Sequence, residues 1–213
     1  MSWCGARDVV KAFLVKMLGF LIQSKQLTTR CWSRWSLPPL QSSFCLFTVF
    51  LLPRPAANWD SYETVDWWDA VDFIGIDSYF ALVSGMDRTH TEMELRTGWQ
   101  WVMREMDKWH KKFWRRKAIV FLESGCRSIR GAASRPWDSE IWGPTDMAEQ
   151  ANYYAAMFRV VGRYPFIQGY FLWHWVSYLK HGGPNDKSYA VWNKPALGIV
   201  RDTFSGKPKP MKQ

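Results

Sequence analysis

The sequence predicts an α/β fold with a parallel sheet, and three observations predict it. Three short, nearly continuous apolar runs stand at Val71–Tyr79, Ala118–Glu123 and Phe166–Trp175. Runs of that kind suit strands covered on both faces. Between them lie stretches whose apolar residues recur at helical spacing, each opened by a capping signal. Strands alternating with helices of this length imply βα units.

The elements follow in order. The first run, Val71-Asp-Phe-Ile-Gly-Ile-Asp-Ser-Tyr79, ends in polar residues. Thr91 with Glu94 forms a capping-box pattern opening a helix, which places Trp99, Val102, Met103, Met106, Trp109 and Phe113 on one face. Its end carries Lys108, Lys111, Lys112, Arg115 and Arg116, which reads as a solvated helix end favoured by the macrodipole. The second run, Ala118-Ile-Val-Phe-Leu-Glu123, finishes on a carboxylate. Asp146 with Glu149 opens the next helix, which carries Ala151, Tyr154, Ala155, Phe158 and Val161, with Gly162 as its stop. The third run is Phe166-Ile-Gln-Gly-Tyr-Phe-Leu-Trp-His-Trp175, and Pro195 suits the first turn of a last helix.

Residues 1–53 read differently. Val9–Ile22 is apolar but interrupted by Lys11 and Lys16, and Phe44–Leu52 is shorter still. Neither reaches the roughly 18 apolar residues of a spanning helix, and no clear cleavage site marks a signal peptide. The expectation for 1–53 is a poorly structured or helical segment, followed by an ordered region at 54–206 and a tail at 207–213. The compartment stays open.

Composition narrows the function classes. The net charge is +9, but residues 1–55 hold seven Lys/Arg against the single acid Asp8. The remainder is nearly balanced, no nucleic-acid-binding motif accompanies the charge, and no nucleic-acid partner is expected. A basic peripheral role for residues 1–55 on a membrane or nucleic acid is the weakest reading. Four cysteines, at 4, 31, 45 and 126, form no C-x-x-C pair, which argues against a disulfide framework or zinc site. No metal or cofactor is expected. Fifteen tryptophans stand out in 213 residues. Indole fills cores, and its flat face also stacks on the apolar face of a pyranose; composition alone leaves both readings open.

Several segments together resemble glycoside hydrolase family 113. They are Ala56-Ala-Asn-Trp-Asp60, Val71–Tyr79, Phe121-Leu-Glu-Ser-Gly-Cys-Arg-Ser128, Gly131-Ala-Ala-Ser-Arg-Pro-Trp-Asp138, Gln150-Ala-Asn-Tyr-Tyr154, Phe171-Leu-Trp-His-Trp175 and Asn193-Lys-Pro-Ala196. They cover roughly residues 55–205 in order. The resemblance implies the C-terminal half of a (β/α)8 barrel of endo-β-1,4-mannanase type, with strands five to eight and their helices, acting on a β-mannan-like polysaccharide or oligosaccharide with retention. It also implies that Glu123, at the end of strand seven, is the nucleophile, and that a second Glu, the acid/base, belongs at the end of strand four.

The residues themselves support a site at the strand ends, where such barrels carry their chemistry. Alternation groups Glu123 with Ile119 and Phe121, Asp77 with Tyr79, and Phe171 with Trp173 and Trp175. On this reading Tyr79 orients the nucleophile. Asn58, Trp137, Trp173, Trp175 and Arg127 are the substrate-binding candidates, although each also fits a purely structural role. His174 falls opposite Trp173 and is expected to pack towards a helix.

Retaining hydrolysis needs two carboxyl groups about 5–5.5 Å apart. Residues 1–55 contain no Glu, and Pro55 stands where the family pattern suggests an aromatic. The expectation is that residues 1–53 do not continue the family sequence and that the chain is a truncated, weakly active or inactive form. Four parallel strands cannot close a barrel, so self-association through exposed sheet edges is a further expectation. The alternative is a non-catalytic carbohydrate-binding remnant.

Overall fold

The computed structural model describes residues 56–176 and 181–205. The expectations for residues 1–53 and for the tail at 207–213 lie outside the described residues. Pro55–Val200 form one compact unit. In chain order stand β1 (Ala56–Asn58), two 3-10 turns (Tyr62–Thr64 and Trp68–Ala70), β2 (Phe73–Asp77), α1 (Glu92–Phe113), β3 (Ala118–Ser124), α2 (Met147–Val161) and β4 (Ile167–Leu172), and α3 (Pro195–Phe204) follows. The strands pair in sequence order, β1-β2-β3-β4, and every pairing is parallel. No described helix is long and apolar enough to cross a membrane.

Helix α1 starts where its sequence dictates. The Thr91 hydroxyl accepts from Glu94 N–H while the Glu94 carboxylate accepts from Thr91 N–H, a complete capping box. Leu95, Trp99, Val102, Met103, Met106 and Trp109 are buried on one face. Phe113, expected on that face, is more than half exposed and sits under Lys112 Nζ at 4.8 Å. Gly98 lets the helix approach the chain after β2 closely: a Cβ there would stand 2.2 Å from the Leu82 carbonyl oxygen.

Helix α2 departs from the expected capping pattern. Asp146 accepts from Glu149 N–H as the cap requires. The Glu149 carboxylate does not turn back, however; it accepts from His90 N–H at 2.6 Å and Ala133 N–H at 3.1 Å and faces His90 Nδ1 at 2.9 Å. With both carboxylate and imidazole shielded from water, this pair ties the chain after β2 to the chain after β3 and to α2. Gly162 ends the helix in a right-handed conformation, not a left-handed one.

One face of the sheet packs against the helices. Phe121 stacks on Trp99 of α1, and Tyr170 packs against Phe158 of α2. Ile76, Phe121 and Tyr170 are ladder neighbours, so this row faces the helices. Side chains paired across a parallel ladder share a face. Phe121 therefore does not share the site face, contrary to simple alternation along β3.

Candidate active site

One extra residue in β3 moves the carboxylate. Ile76 pairs with Phe121, but the next residue of β2, Asp77, pairs with Glu123. On the other side, β3 advances from Phe121 to Ser124 while β4 advances only from Tyr170 to Leu172. Both neighbours thus register a bulge at Leu122–Glu123. A bulge re-aims the side chain that follows it. It turns Glu123 away from the helix-facing row of Phe121 and sets it beside Asp77. Asn58 pairs with Asp77 in turn, so Asn58, Asp77 and Glu123 form one cross-strand row at the C-terminal strand ends.

Tyr79 joins this row directly: its hydroxyl donates to Glu123 Oε2 at 3.0 Å. Burial, then the Glu123 charge, then this hydrogen bond push the phenol well above its ordinary pKa, so it remains a proton donor. Ser78, between Asp77 and Tyr79, falls on the opposite face. Its N–H donates to the Glu123 carbonyl at 2.7 Å and its hydroxyl reaches the same oxygen at 2.9 Å. The Ser78 and Ser124 hydroxyls lie 2.5 Å apart, both shielded from solvent.

The loops after β3 and β4 close around the row. Trp173 N–H donates to the Ser124 carbonyl at 2.8 Å, and the Trp173 indole is 43% exposed, open to a ligand. Gly125 permits this approach, since a Cβ there would stand 2.2 Å from the Trp173 carbonyl oxygen. Tyr189 packs edge-on against Tyr79 at 6.2 Å and donates its hydroxyl to the Pro136 carbonyl at 2.8 Å. Next to Pro136, Trp137 stacks on Trp59 at 4.6 Å.

Other expected site residues make contacts of their own. The Arg127 guanidinium donates to the carbonyls of Lys187, Ser139 and Ile141; these bonds make it a tie between two loops. Strand β4 ends at Leu172, so alternation no longer governs Trp175, whose ring packs against Trp192 at 4.9 Å. The Trp173–His174 peptide is cis. The His174 ring lies beside the rings of Trp173 and His181. Burial first, then His181, lower its pKa.

Several organising residues lie within the segments that carry the resemblance, without a role that the sequence assigns them. Lys194 is fully buried and donates to Asp186 Oδ1 at 2.7 Å, Ser128 Oγ at 2.9 Å and the Ser188 carbonyl at 2.9 Å, which uses all three of its protons. Burial lowers the Lys194 pKa despite the pairing. Burial alone would raise that of Asp186, but the bonds from Lys194 and Ser188 outweigh it and hold Asp186 at about 2. Gln150 donates from α2 to the carbonyls of Cys126 and Tyr189. Cys126 itself is buried, and burial pushes its thiol up, which makes it inert. Among the described residues no cluster of His, Cys, Asp and Glu has the arrangement of a metal site.

The family model for glycoside hydrolase family 113 matches residues 56–194. No curated protein matches the chain. Among solved structures, the family 113 β-mannanase AaManA from Alicyclobacillus acidocaldarius, in complex with ManMIm, is 30% identical with a TM-score of 0.57. The alignment covers 70% of this chain and 44% of that one. A second solved family 113 β-1,4-mannanase shares the fold at 22% identity and a TM-score of 0.59, covering 71% of this chain and 45% of that one. The chain therefore spans less than half the length of these solved relatives, and its four strands correspond to part of their barrel. The chain belongs to glycoside hydrolase family 113.

Proposed function

We propose that residues 56–194 carry the nucleophile side of a retaining glycoside hydrolase site for β-linked mannan or a related polysaccharide. The observation that carries the reading is the Tyr79–Glu123 hydrogen bond at the C-terminal strand ends. Glu123 attacks the anomeric carbon through one carboxylate oxygen while Tyr79 holds the other. The bond to the leaving oxygen breaks as the glycosyl–enzyme ester forms, and water then hydrolyses that ester. Trp173 supplies the platform under the sugar at the cleaved bond. Trp137 lines an outer subsite, and Asn58 reaches a sugar hydroxyl from the same row as Glu123.

The leaving oxygen needs a proton from a second carboxyl group. Among the described strand ends the carboxylates are Glu123 and Asp77, and residues 1–55 contain no Glu. Positioned acid catalysis contributes about 10²–10⁴-fold, so the 213-residue chain is expected to release reducing ends from β-1,4-mannan very slowly.

A 2-deoxy-2-fluoro-β-mannosyl fluoride tests the nucleophile without needing that acid, because fluoride leaves unprotonated. The expected result is a stable adduct on the peptide containing Glu123, absent in Glu123→Gln. An adduct elsewhere, or none, overturns the assignment. Saturable binding of mannooligosaccharides with no adduct and no hydrolysis favours the binding-remnant reading instead.

A further inference from the structure

We infer that Ser78, backed by Ser124, is the positioning residue that makes Glu123 face the site. The inference rests on Glu123 as nucleophile and concerns what holds it there. Regular alternation would leave Glu123 on the Phe121 face, against the helices; the bulge at Leu122–Glu123 is what turns it. The Ser78 N–H bond to the Glu123 carbonyl, at 2.7 Å, is the ladder bond that goes with the Asp77–Glu123 pairing, and the Ser78 hydroxyl adds a side-chain bond to the same oxygen, at 2.9 Å, just after the bulge.

The proton inventory assigns the direction. A carbonyl only accepts, so the single Ser78 hydroxyl proton goes to Glu123. The 2.5 Å contact between Ser78 and Ser124 Oγ atoms then requires Ser124 to donate. The Ser124 carbonyl accepts from Trp173 N–H at 2.8 Å, which extends the same arrangement to the sugar platform. Ser78 and Ser124 are inaccessible to solvent, whereas Glu123 and Tyr79 are half-buried. The serines therefore act from behind the site and touch no substrate. Tyr79 holds the carboxylate; Ser78 holds the backbone from which that carboxylate projects.

The test is inactivation by the 2-deoxy-2-fluoro-β-mannosyl fluoride, resolved into reversible affinity and first-order labelling rate, on the 213-residue chain and on Ser78→Ala and Ser124→Ala. Thermal melting is recorded for each. A misplacement of about 1 Å costs on the order of 100-fold in rate. Ser78→Ala is therefore expected to lower the labelling rate about 10- to 100-fold with affinity within about twofold. Ser124→Ala, which loses only the supporting proton, is expected to show a smaller drop of the same kind. An unchanged labelling rate in a folded Ser78→Ala overturns the inference, as does a loss expressed wholly as weaker affinity. Should Ser78→Ala fail to fold, Ser124→Ala carries the same comparison, and an unchanged rate there overturns it. Absence of labelling in the unsubstituted chain instead overturns the nucleophile reading, and this inference with it.

Discussion

The phenol of Tyr79 reaches across from the end of β2 to Oε2 of Glu123 at the end of β3, 3.0 Å away. The donor is half-buried and its acceptor carries the charge, so the bond belongs to the stronger, charge-assisted class. Tyr79 is itself held, since the Tyr189 ring stands edge-on behind it and is anchored on the Pro136 carbonyl.

Replacing Tyr79 by Phe keeps the ring packing and removes the one proton that fixes Glu123. Hydrogen bonds to charged groups contribute about 1.5–3 kcal/mol. If that stabilisation is realised in the reaction, labelling of Glu123 slows about 10- to 100-fold while the melting temperature changes little. Inactivation kinetics with the fluorosugar measure it, and a rate within twofold of the unsubstituted chain would count against Tyr79 as the orienting residue.

The sequence carries the strand ends better than it carries their facing. The apolar run closing on Glu123 locates the carboxylate, and the run closing on Tyr79 locates its partner. Alternation then groups Glu123 with Phe121, whereas Phe121 packs on Trp99 and the bulge sets Glu123 on the other face. A bulge held by two serines has no periodic signature, because Ser78 and Ser124 look like ordinary polar strand ends. Asp146 with Glu149 likewise reads as a capping box, yet the Glu149 carboxylate is engaged by His90, some sixty residues away in sequence. The tryptophans divide: Trp68 and Trp99 are core, whereas Trp137, Trp142 and Trp173 leave indole exposed.

The His90–Glu149 pair predicts a large stability effect. Glu149→Ala strands three buried donors at once: His90 N–H, the His90 ring and Ala133 N–H. Leaving a buried donor without its acceptor commonly costs about 1–3 kcal/mol, so the loss is expected to reach about 3 kcal/mol or more. Urea unfolding should show that loss as a lower midpoint at an unchanged slope; a loss below about 1 kcal/mol would mean that water satisfies these groups.

Gly125→Ala tests the closure between the loops. The added methyl would meet the Trp173 carbonyl oxygen and the Tyr189 ring, and backbone must move to admit it. Overpacking commonly costs about 1–3 kcal/mol. The expected outcome is a lower melting temperature together with slower labelling of Glu123. Unchanged values for both would show that the loops close without this contact.

Asp186 sets an acid-side stability window. Its folded pKa is about 2 against an ordinary 3.8, so the unfolded state binds the proton more readily. The contribution is fully present above about pH 4 and is lost as pH falls towards 2. Asp186→Asn should flatten the stability profile in that window and leave its slope near neutrality unchanged. Parallel profiles for the two proteins between pH 4 and 2 would refute the coupling to Lys194.

Trp173 separates a sugar platform from an indole that is merely exposed. Its backbone is fixed by the bond to Ser124 beside Glu123, and its ring is 43% exposed. Trp142 is 84% exposed, with Lys187 Nζ 5.6 Å from its ring centroid. Covering one indole face with a sugar removes apolar surface from water, and full burial of a large apolar side chain is worth about 1.5–3 kcal/mol. Partial covering therefore predicts that Trp173→Ala weakens mannooligosaccharide binding about tenfold, while Trp142→Ala leaves it unchanged. Titration calorimetry on both variants reads the difference. Equal losses would mean that the indoles bind sugar by exposure alone, and the platform role proposed for Trp173 would then have no support from its place beside Glu123.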